Sequence, residues 1–367
     1  MFTRRQFATL TPWLVVGPLA IPGCSQKLAA DGYEAAAEST WQLTAAPNFS
    51  GASLGRELVR CATLAASSHN TQCWKFALAD NAITILPDLS RRCPAVDPDD
   101  HHLFVSLGCA TENLVHAALA HGLRAEPQFD AARNLINVSL SPTHQQATPL
   151  FQAIATRQCT RGDYDGKALT NEELALLERA GTSNGVRLLL LTERPAMERV
   201  LEWVVQGNTA QMADAAFVKE LKSWIRFSGV DAVRTRDGLF SASSGNPVVP
   251  TWTGNLAFDW FFTPKSENEK IARQIRSSSG MAVFVGAVAD KANWVDVGRC
   301  YQRFALQATA LGIRNAFLNQ PVEVVAVRAP FAAAVGLVDQ CPDLVVRFGR
   351  GPVLPRSLRR PVQAVLV

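Results

Sequence analysis

One run of polar side chains is dense enough to bind a flat polar molecule, the ten-residue segment SSHNTQCWKF from Ser67 to Phe76. It combines hydroxyl groups, an imidazole and two carboxamides, and it lacks the glycine or proline of a simple turn. These groups donate and accept hydrogen bonds, as the polar edge of a heteroaromatic ligand requires. A capping loop that satisfies only its own backbone has a similar composition, and the residue types alone leave both interpretations open.

Regular elements on either side must hold this run in place. Residues 57–66 repeat apolar side chains three and four positions apart, which predicts a helix that leads into Ser67. Residues 74–79 and 82–86 flank Asp80-Asn81, which predicts a β-hairpin that leaves the run. The polar run is therefore predicted to connect a helix to a strand.

The composition indicates an ordinary globular protein. The chain has 367 residues, of which 48% are hydrophobic and 19% charged. That length accommodates one large core or two domains. The formal net charge of +4 is small and the basic residues are scattered apart from the two ends, so no nucleic-acid partner is expected.

The first 24 residues are predicted to be a targeting segment. The pair Arg4-Arg5 lies in a sequence that resembles a twin-arginine export signal, and the apolar run after it is short for a membrane span. Residues 19–24 resemble a lipoprotein cleavage box, which would place a lipid on Cys24. We therefore expect export by the twin-arginine machinery to the periplasm, free or membrane-anchored. An accidental basic N-terminus is the alternative.

Metal and redox-thiol chemistry find little support. None of the 8 cysteines forms a Cys-x-x-Cys pair, so zinc and thioredoxin-like sites have no support. No essential disulfide is predicted. Cys61, Cys109 and Cys300 fall on predicted helix faces and are expected in the core. His101 and His102 are adjacent and are expected on different faces of a helix, so no metal site is predicted.

Two long predicted helices match each other. Both begin with a valine followed three residues later by glycine, in 105–108 and in 295–298. Both end with Ala-x-Ala-x-Gly, an aliphatic residue and arginine, in 118–124 and in 308–314. The offset is constant, since 295 − 105 = 312 − 122 = 190. Many helices end in glycine before a strand, but the matched beginnings favour an internal repeat.

The two copies are predicted to differ in length. Ser67 aligns loosely with Ser183, an offset of 183 − 67 = 116, so the second copy carries 190 − 116 = 74 additional residues. The predicted segments are a signal at 1–24, an arm at 25–54, a first half at 55–147, and a second half at 148–367 with a lid insertion at about 194–277. In the insertion, residues 193–227 are predicted to be helical and 228–263 to be a loop rich in aromatic residues.

The polar run resembles the Ser-Ser-x-Asn-x-Gln-Pro-Trp motif of the nitroreductase-like FMN oxidoreductases, in particular their duplicated, single-chain Acg-like subgroup. The resemblance implies an α+β fold, a nitroreductase-like mixed sheet with surrounding helices and two homologous halves in one chain. It implies flavin contacts for Ser67, Ser68 and Asn70, with Gln72 holding the same loop. Cys73 stands where the family has proline.

Two arginine-containing segments resemble the phosphate clamps of that family. The first is Arg157-Gln158-Cys159-Thr160-Arg161, similar to Arg-Arg-Ser-x-Arg, which implies phosphate contacts for Arg157, Gln158, Cys159 and Arg161. The second is residues 356–360, in which Arg359 takes the arginine position. Guanidinium groups suit a phosphate because they donate paired, charge-assisted hydrogen bonds. A solvated basic surface is the alternative interpretation.

A third segment resembles the loop that donates a backbone N–H to the flavin ring. The family has Pro-x-Glu-Gly there, and this chain has Phe317, Leu318, Asn319 and Gln320. Asn319 replaces a carboxylate, and Gln320 adds a side chain where the backbone must approach the ring. No residue is assigned as a general acid or base, because a flavin would carry the chemistry.

The resemblance therefore implies an exported FMN-dependent oxidoreductase that passes reducing equivalents from an unknown donor to a planar small-molecule acceptor, such as a nitroaromatic or quinone. The first copy carries the serine-asparagine run and the second carries the arginine run, so the chain resembles a fused dimer with one retained site, expected to be monomeric.

Two other functions stay open. The aromatic lid could cover the flavin and make this an FMN-sequestering protein; its residues are Trp252, Phe258, Trp260, Phe261 and Phe262. A degenerate interaction protein without cofactor is the third interpretation.

Overall fold

The structure is a computed structural model that describes residues 32–43, 51–337 and 340–367. The predicted export signal with Arg4, Arg5 and Cys24 lies outside the described residues, as does much of the predicted arm.

The described residues form ten strands and thirteen α-helices. The strands are β1 (Trp74–Ala79), β2 (Ala82–Pro87), β3 (Leu123–Asp130), β4 (Leu135–Pro142), β5 (Val186–Leu191), β6 (Ile225–Arg226), β7 (Leu239–Phe240), β8 (Gly280–Gly286), β9 (Arg314–Phe317) and β10 (Pro342–Gly349). The helices are α1 (Tyr33–Trp41), α2 (Gly51–Thr63), α3 (His101–Ala120), α4 (Pro149–Ile154), α5 (Asn171–Gly181), α6 (Arg194–Ala213), α7 (Ala215–Trp224), α8 (Gly229–Thr235), α9 (Thr251–Phe261), α10 (Pro264–Arg276), α11 (Lys291–Ala310), α12 (Gln320–Glu323) and α13 (Val325–Ala334).

Two four-stranded sheets have the same strand order. The first runs β1-β2-β4-β3 and the second β5-β8-β10-β9, and neighbouring strands in both are antiparallel. In each sheet the chain therefore visits positions one, two, four and three, with a long helix before its third strand. A parallel bridge at one edge, Phe76 to Leu366 in the first and Cys159 to Asn315 in the second, makes both sheets mixed. The predicted α+β class is confirmed.

The two long helices α3 and α11 cross in the middle of the protein and form its most extensive helix contact. Most of α3 is buried, although by length and composition it is the one helix of the described residues that could span a membrane. A helix that is apolar on nearly every side suits such a central position. Cys61, Cys109 and Cys300 are buried in the surrounding core, as predicted.

Local sequence signals place most element ends. β1 and β2 pair from Trp74↔Pro87 to Ala79↔Ala82, around the predicted Asp80-Asn81 turn. Thr170 and Glu173 form the predicted capping box of α5. Gly122 ends α3 with a φ of 75°, a conformation that glycine adopts without strain.

The segment between β5 and β8 differs from its prediction. The expected continuous helix over 193–227 is interrupted, because the Asp214 side chain accepts a hydrogen bond from the Ala216 N–H and begins α7. The expected loop over 228–263 contains two helices, of which α8 is capped by Ser228. Short capped helices within aromatic sequence lack the long periodicity by which helices are predicted.

The C-terminal segment returns to the first sheet. The Phe76 N–H donates to the Val365 carbonyl oxygen at 2.8 Å, and the Val367 N–H donates to the Phe76 carbonyl oxygen at 3.0 Å. This return brings Arg359 beside the end of α2, where its Nε donates to the Thr63 carbonyl oxygen.

Candidate functional site

The polar run forms a strained loop that the rest of the chain holds in place. After Ser67 the chain makes one 3₁₀ turn, and His69, Asn70 and Gln72 have φ values of 46°, 52° and 54°. Residues other than glycine rarely adopt this left-handed conformation, and it persists only where surrounding contacts enforce it. Such local strain often marks a binding site.

Asn70 and Gln72 supply those contacts. The Asn70 amide donates to the carbonyl oxygens of Gly238 at 3.0 Å and Leu358 at 3.2 Å. The Gln72 amide donates to the Arg236 carbonyl oxygen, and its oxygen accepts from the Arg360 N–H. Gln72 is fully buried and lines neither cavity described below. Its hydrogen bonds hold the loop, and its place among the predicted cofactor-binding residues stays a prediction.

Arg157 and Arg359 converge on the C-terminal end of α2. Arg157 Nη2 donates to the Leu64 carbonyl oxygen at 3.0 Å, while Arg359 Nε and Nη2 donate to those of Thr63 and Ala65. Both residues are almost completely buried. These carbonyl groups carry the partial negative charge of the helix end and so favour nearby cations. The segments predicted to clamp a phosphate are therefore brought together, although about 200 residues separate them.

The two buried guanidinium groups lack a full counter-charge. Neither forms an ion pair with a carboxylate among the described residues, and Arg157 Nε has no hydrogen-bond acceptor there. Burial, and then the charge of Arg157, lower the pKa of Arg359 to about 9. Burying like charges is costly unless an anion compensates them. The pair therefore forms a potential anion site, and a surface-exposed basic patch is excluded for these two residues.

The polar pocket lies between these arginines and the strained loop. Its volume is about 870 Å³ including the open mouth, and it is lined by Trp41, Ala66, Ser67, Ser68, His69, Asn70, Arg157, Gln158, Cys159, Arg161, Leu239, Phe240, Ser243, Ser244, Phe317, Glu323, Arg356, Ser357 and Arg359. Nine of the thirteen sequence-predicted contacts thus share one pocket. The Asn70 Oδ1 atom is buried there without a partner among the described residues.

Gln158, Cys159 and Arg161 occupy different parts of this wall. The Gln158 amide donates to the carbonyl oxygens of Leu354 and Pro355, so it positions the C-terminal segment. Cys159 lies where the chain bridges to β9. Arg161 lines both this pocket and the cavity next to it.

The apolar chamber adjoins the polar pocket and has a volume of about 1870 Å³ including its mouth. The two cavities share five wall residues, which are His69, Arg161, Leu239, Ser244 and Glu323. The rest of the wall includes aliphatic and aromatic side chains of α7, α9, α10 and the segments next to them, namely Phe217, Leu221, Ile225, Phe227, Val249, Ala257, Phe258, Phe261, Phe262 and Ile271.

The segment from Phe317 to Gln320 divides between the cavities. Phe317 lines the polar pocket, whereas Leu318, Asn319 and Gln320 line the chamber. The Leu318 N–H donates to the Val345 carbonyl oxygen at 2.8 Å, and Asn319 Oδ1 accepts from the Val345 N–H at 3.0 Å. Both groups therefore already have a hydrogen-bond partner in β10.

The lid aromatic residues also divide. Phe258, Phe261 and Phe262 line the chamber, although Phe261 is also 73% exposed. Trp252 and Trp260 line neither cavity and are 70% and 77% exposed. The prediction that all five cover the site is therefore wrong for the two tryptophans. Trp252 lies six positions before Phe258 and Trp260 two positions after it, and a helix turns residues at these spacings to a different side.

Glu323, at the end of α12, was missed by the sequence analysis. One carboxylate oxygen accepts from Gln211 Nε2 at 2.7 Å, and the other lies 3.9 Å from His102 Nδ1. Burial raises the pKa of Glu323. In the sequence, the sign of this residue was an acidic side chain one helical turn after Asn319.

The His101 and His102 rings stack with centroids 4.6 Å apart, contrary to the expected separation on two helix faces.

Trp41 is a second residue that the sequence analysis missed. The Arg359 guanidinium lies 4.9 Å from the centre of its ring, and Trp41 Nε1 donates to the Ser357 carbonyl oxygen at 3.0 Å. Tyr33 and Trp41 are eight positions apart, which places them on one side of a helix. This spacing was the sign in the sequence that both residues face the protein interior.

Comparison with known proteins gives one substantial similarity. No protein-family model matches the chain. Two curated proteins, from two strains of Mycobacterium tuberculosis and each described as a "Putative NAD(P)H nitroreductase", are 24% identical to it over 332 residues. This alignment covers 87% of the chain and 92% of each relative. The chain is similar to nitroreductases over most of its length.

Solved nitroreductase structures align with a smaller part. A nitroreductase with bound FMN from Desulfitobacterium hafniense is 15% identical, with a TM-score of 0.37 and coverage of 59% of this chain and 96% of its own. An FMN-dependent nitroreductase from Mycobacterium smegmatis, in complex with NADPH, is 14% identical, with a TM-score of 0.36 and coverage of 55% and 87%. TM-scores this low do not establish a common fold.

Proposed function

We propose that this protein is an FMN-dependent oxidoreductase of the nitroreductase type, in which the polar pocket holds the flavin. The observation that carries the proposal is the pair of buried arginines, Arg157 and Arg359, which line the polar pocket and form no ion pair with a carboxylate among the described residues. The mycobacterial relatives, named as NAD(P)H nitroreductases, support the same chemistry.

The residues present fit this cofactor. Arg157 and Arg359 would hold its phosphate, because Arg157 Nε is a buried donor with no acceptor among the described residues. Asn70 Oδ1, a buried acceptor without a partner in the same part of the chain, suits an N–H of the ring edge. When bound, FMN supplies hydride or electron-pair transfer between a donor and an acceptor.

The protein contributes position and electrostatics to that chemistry. Gln72 and Asn70 fix the strained loop, and Gln158 fixes the C-terminal segment that carries Arg359. Trp41 covers the Arg359 guanidinium and keeps water from it. A preorganised set of donors costs little reorganisation when the ligand binds.

The chain is further proposed to be a duplicated, fused dimer of the Acg-like kind, with halves at 55–147 and 148–367. The identical strand order of the two sheets supports this proposal, as does the location of α6–α10 between the first and second strands of the second sheet. Arg157 donates to Leu64 of the other half, so the retained site would lie between the halves and the protein would function as a monomer.

Export by the twin-arginine route, with Cys24 as a lipid anchor, is proposed from the sequence of residues 1–24. Fractionation of cells that express the chain tests it. We expect the protein in the periplasmic or membrane fraction, and Arg4→Lys with Arg5→Lys should retain it in the cytoplasm. Equal distribution of the wild type and the variant would contradict export.

FMN sequestration is the second candidate, because Phe258, Phe261 and Phe262 crowd the chamber through which an acceptor would approach. Purified full-length protein distinguishes the two by its flavin absorbance. Bound flavin that dithionite reduces and nitroaromatic or quinone acceptors quickly reoxidise supports an oxidoreductase. Flavin that is not reoxidised supports sequestration, and protein that stays colourless with added FMN contradicts both.

A further inference from the structure

Helix α9 carries an exposed apolar stripe that the proposed flavin site does not use. Trp252, Leu256 and Trp260 are four positions apart, so they form one row along the helix, and they are 70%, 55% and 77% exposed. Among the described residues, every aromatic side chain that is more than half exposed lies on this helix, and Phe261 is the third of them. Clustered apolar side chains of this kind mark a surface that meets a protein or a membrane.

The other side of α9 fixes the stripe in its outward orientation. Gly254 packs against Phe227 so closely that a Cβ atom would lie 2.3 Å from the ring. Phe258 is buried, and its ring stacks on that of Phe262 with centroids 4.4 Å apart. Turning the helix to bury the tryptophans would break these contacts and expose Phe258. The stripe therefore stays on the outside of the protein.

The stripe has no net charge. The one ionisable side chain of α9 is Asp259, and Lys222 Nζ from α7 lies 2.6 Å from its carboxylate. A partner that binds here is therefore held by apolar contact and not by charge.

The area and composition of the stripe favour a lipid surface over a second protein. Three aromatic side chains and one leucine at these exposures offer about 500 Å², since an aromatic side chain buries about 150–250 Å². A standard protein interface needs about 800 Å² from each partner. Tryptophan is enriched where a bilayer meets water, because its ring is apolar and its N–H is polar.

The beginning of the described chain lies close to α9. Helix α1 packs against α8, with Tyr33 and Ala232 in one buried apolar cluster. The Thr251 hydroxyl, at the first residue of α9, donates to the Asp231 carboxylate of α8. The first described residue is eight positions after Cys24, and eight residues span at most about 29 Å. A lipid on Cys24 would therefore keep α9 near the bilayer surface.

We propose that the stripe of α9 docks this protein on a lipid bilayer, with both tryptophan rings in the headgroup region. The choice of a bilayer rests on the proposed lipid anchor at Cys24, and nothing in it depends on the flavin. Phe261 is exposed and also lines the apolar chamber, so the chamber opens beside the stripe. Docking would bring the mouth of the chamber close to the membrane surface.

Quenching of tryptophan fluorescence by vesicles of brominated phosphatidylcholine tests the docking. Full-length protein with Trp13→Phe is the reference, so that no tryptophan of the predicted signal segment emits. We expect the vesicles to quench its emission, and Trp252→Phe combined with Trp260→Phe to reduce that quenching at least threefold, because these two rings contact the lipid. Absence of quenching, or equal quenching in the combined variant, overturns the proposal.

A matched pair of variants tests whether the contact is apolar. Leu256→Asp places a charge in the stripe, and Val288→Asp places one at an equally exposed position, 56%, between β8 and α11. We expect Leu256→Asp to reduce the quenching at least fivefold and Val288→Asp to leave it unchanged. Equal effects of the two variants, or quenching of the reference protein that high salt abolishes, overturn docking through the apolar stripe.

A second copy of this chain is the rival partner for the stripe. Sedimentation velocity without vesicles distinguishes it, because a wild-type dimer that Leu256→Asp dissociates would assign the stripe to self-association and overturn membrane docking. We expect equal sedimentation of the two proteins.

The outcomes also separate this inference from the proposed function. Flavin absorbance does not depend on α9 meeting lipid, so failed quenching overturns the docking and leaves the flavin function standing. Colourless protein that the vesicles quench keeps the docking and loses the flavin. The vesicle experiment uses protein without a lipid on Cys24, so it decides the docking whether or not Cys24→Ser changes the membrane fractionation of the chain.

Discussion

Gly108 and Gly298 contact each other's helices reciprocally at the crossing of α3 and α11. A Cβ atom on Gly108 would lie 2.0 Å from the Val295 carbonyl oxygen, and one on Gly298 would lie 2.0 Å from the Val105 carbonyl oxygen. The offset relates the two contacts, because 298 − 108 = 295 − 105 = 190. Reciprocal contacts of this kind are what a two-fold axis produces in a homodimer.

The polar pairs beside the crossing follow the same relation. Arg303 Nη1 donates to Glu112 at 3.0 Å, and Gln302 Nε2 donates to Asn113 Oδ1 at 2.7 Å. Since 302 − 112 = 303 − 113 = 190, each pair is the counterpart of the other. One is ionic and the other neutral, so the contact positions are matched although the chemistry is not. These pairs support the proposed fused dimer.

Gly108→Ala and Gly298→Ala should each destabilise the protein by at least about 2 kcal/mol, because the new methyl group would force the helices apart. Chemical denaturation checks this. Gly55→Ala in α2 is the control, since its Cβ would have only ordinary contact with Leu78 at 3.4 Å. That change should be neutral or stabilising by up to about 1 kcal/mol. Stability losses no larger than for Gly55→Ala would contradict the close helix contact.

Arg157→Ala and Arg359→Ala should each weaken FMN binding by about 10- to 100-fold, which corresponds to the 1.5–3 kcal/mol of a charged hydrogen bond. Fluorescence titration of FMN into flavin-free protein measures the affinity. Arg133→Ala, an exposed arginine in the β3–β4 turn, should not change it. Unchanged affinity in Arg157→Ala would refute the phosphate assignment.

Glu112 should make stability depend on pH in the acid range. Burial would raise the pKa of Glu112, but His116, Arg303 and Arg299 outweigh burial and hold it at about 2, below the ordinary 4.5. A lowered carboxyl pKa stabilises the fold fully above about pH 4.5, and this contribution disappears as the pH falls toward about 2. Denaturant midpoints across this range measure the effect.

The matched variant is Glu112→Gln, which cannot titrate. It should cost roughly 3 kcal/mol at neutral pH, given 1.36 kcal/mol per pKa unit, and the difference from wild type should shrink steadily below about pH 4.5. A constant difference from pH 7 to pH 2 would exclude a charge-dependent contribution.

Phe258→Ala and Phe262→Ala should expose bound flavin to iodide, because both side chains line the chamber beside the polar pocket. Trp260→Ala is the control, as its side chain is 77% exposed on the outer side of α9. Quenching of flavin fluorescence reports the access. Equal quenching constants for all three variants and the wild type would show that α9 does not shield the flavin.

Much of the local structure follows from short-range chemistry. The β1–β2 hairpin and the Thr170 capping box depend on groups only a few residues apart, so the residue types suffice to predict them. The paired glycines at the helix crossing were also visible as a repeat. Helices α8 and α9 were not, because neither shows a long apolar periodicity and both are stabilised by packing against the rest of the chain.

The sequence by itself determined the residue types of the proposed site, including the polar run at Ser67 and the arginines at 157 and 359. Only the tertiary structure decided which of these face a cavity. It removed Gln72 from the pocket wall, turned Trp252 and Trp260 toward solvent, and added Glu323 and Trp41. The physical reason is that burial and hydrogen-bond partners arise from chain segments 100 to 300 residues apart, whose approach no local pattern encodes.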